Sequence, residues 1–160
     1  MVSHDFNAGS MFCVVSSIQH PDSEDLANQY FAGIQPIIQN EGVRFLVTFD
    51  VQEQLAGDHP APFFSLITMP SLQTKYNINE KRLSEWQSIR ELRPDVWSEL
   101  RLRDYELSED LHLTLDSDKY YQLESFWVQT DKDDEFSDYR HGAEKRAQKR
   151  GGRVIYQAGV

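Results

Sequence analysis

His112, Thr114 and Asp116 alternate along the chain, so in a strand they share one face, because strand side chains repeat with a period of two. Histidine titrates near neutral pH, which makes His112 the catalytic candidate, as a general base. A solvated or hydrogen-bonded edge residue is the competing reading. Arg44 and Arg153 each open a short β-rich stretch, where a guanidinium fork is suited to clamping a carboxylate through two parallel hydrogen bonds. Pairing with one of the chain's own acids explains the same arginines without a ligand. Tyr30 and Trp86 complete the ligand-binding candidates as aromatic walls, although both, like Trp97, fall on apolar helical stripes where core packing accounts for them.

Other chemistries find no support in the pattern. The histidines (His4, His20, His59, His112, His141) show no paired ligand spacing on one element, so no metal site is expected. Cys13 is the only cysteine, which rules out an intrachain disulfide and suits a reducing compartment. No glycine-rich loop follows a strand, and Gly151-Gly152 stands at a helix end with exposed carbonyls, the wrong polarity for a phosphate. No cofactor is expected.

The 160 residues carry 26 Asp+Glu against 16 Lys+Arg, a net charge of -10 that opposes non-specific attraction to nucleic acid or anionic lipid. The basic run Lys145, Arg146, Lys149, Arg150 follows an acidic start at Asp131, Asp133, Asp134 and Glu135, an order that complements a helix dipole. At 39% hydrophobic and 12% aromatic the chain is rich enough to build a packed core. No stretch reads as a secretion signal or a membrane span, so a cytoplasmic protein is expected, with neither membrane nor nucleic acid as partner.

These candidates must be positioned by regular elements. Met11–Ile18 reads as a strand ending at His20-Pro21-Asp22, and Asp22 or Ser23 then caps a helix. Leu26, Tyr30, Ile34, Ile37 and Ile38 recur at helical spacing, Pro36 predicts a kink, and Gly42 ends the helix. Val43, Phe45, Val47, Phe49 and Val51 alternate strictly, which predicts a strand with all five on one face; Phe63–Met69 is the next strand. Lys81–Glu106 reads as a helix broken before Pro94, and Leu111–Leu115 as a fourth strand. The order β-α-β-β-α-β is that of a ferredoxin-like α+β domain.

After Ser117-Asp118 the pattern restarts, with a strand expected at Tyr120–Gln129, a helix at Asp131–Arg150 and a strand at Arg153–Gln157. Tyr139 stands 109 positions after Tyr30, and at that offset Gly142 meets Gly33, Gly151 meets Gly42, Arg153 meets Arg44 and Val160 meets Val51. Capping rules demand the glycines but not the Tyr and Arg pairs, so an internal duplication is expected. The expected organisation is a flexible N-terminus at 1–10, a ferredoxin-like domain at 11–117, and a β-α-β half repeat at 118–160 that packs on the first domain or on a partner chain.

Glu41-Gly42-Val43-Arg44-Phe45-Leu46, Phe64–Leu72 (FSLITMPSL) and Glu85–Arg93 (EWQSIRELR) occur in that order. Together they resemble an uncharacterised family of the dimeric α+β barrel superfamily, whose members show a Gly-Gly-Arg helix end, a strand closing on Phe-Pro-Ser, and a Glu-Tyr-Gln…Ile-Arg-x-Leu-Arg helix. Gly151-Gly152-Arg153 matches the first motif better than the first copy does. The resemblance implies the ferredoxin-like fold and dimerisation through sheet faces, with no settled activity; the wider superfamily includes cofactor-independent monooxygenases and isomerases. The chain departs from the family in its insertion at Gln73–Arg82, in Trp86 where Tyr is usual, and in its incomplete second copy.

Two functions follow as expectations. The first is an uncharacterised self-associating module for small-molecule binding or assembly. Its partners are a second copy of itself, as a homodimer or larger oligomer through sheet faces or edges, and a small organic molecule. The alternative is a cofactor-independent enzyme for a small acidic or aromatic compound, with Arg44 orienting it, His112 moving a proton, and Tyr30 or Trp86 walling the pocket.

Overall fold

The computed structural model describes the chain except at positions 58, 59, 82, 125, 127 and 156–160 and the side chains at 81 and 83. Its elements run in the order β1 (Val2–Phe6), β2 (Met11–Gln19), α1 (Glu24–Asn40), β3 (Arg44–Asp50), β4 (Phe63–Met69), α2 (Leu72–Tyr76), a π-helical segment (Asn77–Lys81), α3 (Leu83–Arg90), α4 (Arg93–Val96), β5 (Trp97–Glu106), β6 (Leu111–Leu115) and α5 (Asp133–Lys149). They fall into two compact units, Phe6–Leu111 and Met1–Asp5 with the described residues from His112 onward.

The larger unit is a four-stranded antiparallel sheet of order β3-β4-β2-β5. Register places Met11 opposite Met69 and Glu106, and Cys13 opposite Ile67 and Asp104, so these residues share the face on which the helices pack. The α1 stripe of Ala27, Tyr30, Ile34, Ile37 and Ile38 is buried there with Trp86, Val96 and Trp97. Removing each large aliphatic side chain of that stripe from water contributes about 1.5–3 kcal/mol. The other face carries Val14, Leu66, Val47 and the pair Phe49 and Phe64, stacked with centroids 4.8 Å apart.

Helix α1 runs through Pro36 to Asn40 and closes at Gly42, whose φ of 77° only glycine adopts readily. Gly42 N–H donates to Gln39 O and Val43 N–H to Ile38 O, a Schellman cap. Helix α5 stops in the same way, with Gly151 N–H on Gln148 O, Gly152 N–H on Ala147 O and a φ of 81° at Gly151. Both helices are 17 residues long, and α5 starts and stops 109 positions after α1.

Four expectations need correction. The helix expected over Lys81–Glu106 ends at Arg90; α4 makes one turn with Pro94 near its start, and Trp97–Glu106 is strand β5, paired with β2 along its whole length. Leu100 fits a helical stripe with Val96 and Trp97 as well as a strand alternation with Leu102, and the long-range ladder decides between them. The fourth place in the β-α-β-β-α-β order therefore belongs to β5, while Leu111–Leu115 pairs with β1, inside the N-terminal stretch expected to be flexible. In β3 the register shifts between Phe45 and Val47, a bulge that sends Phe45 to the helix-covered face and Val47 to the other.

In the smaller unit the described residues of 120–129 form no strand, nor do 153–155; the end of the expected last strand, at 156 and 157, lies outside the described residues. Helix α5 has no buried residue, and Phe126, Phe136 and Tyr139 cluster with ring centroids 5.3–6.2 Å apart.

Candidate functional site

Helical periodicity turns Tyr30 inward from α1, where its ring meets Trp97 edge-on with centroids 4.8 Å apart. Its phenolic oxygen accepts two hydrogen bonds from Arg93, the first residue of α4: from Nε at 2.9 Å and from Nη2 at 2.8 Å. The Arg93 Cζ lies 5.6 Å from the Tyr30 centroid, a distance set by the hydrogen-bonded ring edge rather than by stacking on the face. On α3, Trp86 is buried and its indole N–H donates to Ile78 O in the π-helical segment at 3.0 Å, so that segment gives the indole a backbone partner. The guanidinium carbons of Arg93 and Arg90 lie 5.1 and 5.5 Å from the Trp86 ring centroid, within cation–π range.

Tyr30, Trp86, Arg90 and Arg93 thus form one assembly at the junction of α1, α3 and α4. Beside it is a solvent-open depression of about 380 Å³, lined by Arg90, Arg93, Pro94, Trp97, Leu100 and Leu102. A neighbouring hollow takes in Gln87 and Glu91, and Gln87 Nε2 donates to the Glu91 carboxylate at 3.4 Å. Neither Arg90 nor Arg93 has a carboxylate partner among the described residues, although the chain holds more acids than bases. Two guanidiniums beside an apolar wall can hold an anion whose body is apolar.

The structure thus joins Tyr30 and Trp86, and it places the other candidates elsewhere. Arg44 is exposed at the start of edge strand β3, opposite Thr68, with no ion pair among the described residues. Arg153 is exposed beyond the end of α5. His112 is on β6 in the smaller unit: its Nδ1 lies 2.6 Å from the Asp5 carboxylate, its Nε2 3.2 Å from Thr114 Oγ1, and that hydroxyl 3.0 Å from Ser3 Oγ. Asp5 and His112 are largely exposed, so water competes for each of these bonds. Asp116 accepts from the Asp118 N–H instead of joining this chain.

Sequence reasoning missed Arg90 and Arg93 as site residues. They stand in the Ile-Arg-Glu-Leu-Arg segment that carried the family resemblance, which was the one signal able to point to them. Among the described residues no cluster of three or more His, Cys, Asp or Glu could hold a metal, and no helix is long and apolar enough to cross a membrane. Cys13 is buried beside Asp104; burial, reinforced by the Asp104 charge and hydrogen bond, pushes its thiol well above the usual range.

The β-α-β-β-α-β order with sheet order β3-β4-β2-β5 decides the fold. It is ferredoxin-like. A protein of unknown function from Rhodopseudomonas palustris superposes with a TM-score of 0.54 at 13% identity, covering 62% of this chain and 82% of that one. Its methylated form gives 0.53 at 12% identity, over 70% and 85%. A DABB family protein of ferredoxin-like fold from Mesorhizobium loti aligns more loosely, with a TM-score of 0.43 at 13% identity over 61% and 95%. No protein-family model and no curated protein matches the chain. At these identities the likeness is one of fold.

Proposed function

We propose that this ferredoxin-like protein is a self-associating module that binds a small organic anion in the depression beside Arg90 and Arg93. One observation carries the reading: two guanidiniums near the same indole, neither with a carboxylate partner among the described residues, in a chain with 26 acids and 16 bases. Like charges held together repel, and an anion between them removes that repulsion. The test is ligand-observed NMR with matched pairs, each a carboxylic acid and its primary amide, on the full chain. Acids should bind and their amides should not; equal binding of both, or of neither, overturns the proposal.

Self-association rests on a separate observation. The sheet face opposite the helix-packed core carries Val14, Leu66, Val47, Phe49 and Phe64, all half-buried. The apolar patch lies on β3, β4 and β2, while β5 adds Glu99, Arg101 and Arg103 to the same face; a patch of this kind suits pairing with its own copy about a two-fold axis. Internal duplication is supported by the equal lengths and like caps of α1 and α5.

A further inference from the structure

Building on the anion reading, we infer that the ligand is a flat, apolar-bodied monocarboxylate of benzoate type, seated with its carboxylate on Arg93 and its ring along Trp97, Leu100 and Leu102. Arginine has five N–H donors in a rigid fork. Tyr30 takes the Nε–H and one Nη2–H, which immobilises the guanidinium by its inner edge. The outer edge, with one N–H each from Nη1 and Nη2, remains as a parallel pair spaced for the two oxygens of a carboxylate. Either fork of a guanidinium can hold a carboxylate; with the Nε–H/Nη2–H fork on Tyr30, the outer fork is the one left for a ligand.

The rest of the depression selects the body of the ligand. Trp97, largely buried, lines the depression together with Leu100 and Leu102, and Leu102 is 47% exposed on the same face of β5 as Leu100. An apolar side chain left open to water beside a cation gives no gain to a compact, fully hydrated anion, whereas a flat ring would cover it. The depression, about 380 Å³ and open to solvent, has room for a single ring. Arg90 lines the same depression and adds its positive charge, while Arg93 is the arginine whose guanidinium Tyr30 holds in place.

Isothermal titration of the full chain with benzoate, acetate and inorganic phosphate tests the inference. Benzoate should bind at least about 10-fold more tightly than either small anion, because only it buries apolar surface. Leu102→Ser, at an exposed position, should weaken benzoate about 3-fold or more and leave acetate unchanged. Arg93→Lys should weaken both by losing the fork, and Arg90→Gln, also exposed, should weaken both through charge alone. Acetate or phosphate binding as tightly as benzoate would overturn the ligand class while leaving an anion site in place. No binding of any of the three at millimolar concentration overturns both the class and the anion reading on which it rests.

Discussion

The Tyr30 phenol and the Arg93 guanidinium, 63 residues apart in the chain, are joined by two hydrogen bonds of 2.9 and 2.8 Å. The pair ties α1 to α4 and so fixes where β5 begins, directly after α4 at Trp97. Removing only the phenolic oxygen, Tyr30→Phe, keeps the ring against Trp97 and leaves Arg93 without its acceptor. A net hydrogen bond to a charged group contributes about 1.5–3 kcal/mol, and partial exposure of Arg93 puts the expected loss near the lower end. Chemical denaturation of the two proteins measures it; an unchanged midpoint would show that the pair contributes nothing to the fold.

Equivalent glycines in α1 and α5 should respond to alanine in opposite ways. A Cβ at Gly33 would lie 2.8 Å from Ile89 Cδ1 of α3, whereas at Gly142 it would meet only the mobile end of Arg146, at 3.2 Å. Gly33→Ala should therefore destabilise by about 1 kcal/mol or more despite better helix propensity, with Ile89→Val restoring part of the loss. Gly142→Ala should stabilise α5 by about 0.5–1 kcal/mol. Thermal melts of the three variants decide, and a stabilising Gly33→Ala would contradict the close α1–α3 packing.

Burial raises the Cys13 thiol above its unfolded value, so the folded chain keeps a proton that the unfolded chain gives up. This contribution to stability is complete below the unfolded thiol's pKa of about 8.5 and is lost as pH rises above it, at up to about 1.4 kcal/mol per pH unit. Cys13→Ala should lower stability near pH 7 through the lost volume but show a shallower fall between pH 8.5 and 10.5. Urea titrations across that window compare the slopes; parallel slopes would sink the argument. The native thiol should also react slowly with thiol reagents at pH 7.

Self-association through the half-buried apolar patch of β2, β3 and β4 predicts a dimer in light scattering at micromolar concentration. Leu66→Lys, in the middle of that patch, should give a monomer with an intact far-ultraviolet spectrum, and Val47→Lys near the edge should weaken the dimer less. A wild-type monomer under these conditions contradicts the proposal.

Much of the scaffold was legible from local signals. Helix α1 announced itself through the spacing of Tyr30, Ile34, Ile37 and Ile38 and through Gly42, because periodicity and capping are written within a few residues. Strand β5 was not legible: Leu100 continues the helical stripe of Trp97 as well as it alternates with Leu102, and only pairing with β2 resolves the two. Val2–Phe6 carries little strand signal of its own and becomes β1 through β6. The site was half legible. Tyr30 and Trp86 were singled out as aromatic walls, but the arginine between them depends on a contact from α1 to α4 that no local pattern encodes. Arg44, Arg153 and His112 attracted notice by type, and the fold leaves them outside this assembly.

The central claim is that an organic acid sits between Arg93 and Trp97. Crystals of the full chain soaked with 4-bromobenzoate test it directly, because bromine is located by its anomalous signal. Anomalous density along the Trp97, Leu100 and Leu102 wall, with the carboxylate on the outer edge of Arg93, is the predicted result. Bromine seated elsewhere, or an empty depression in a crystal where that face is free of neighbours, would contradict it.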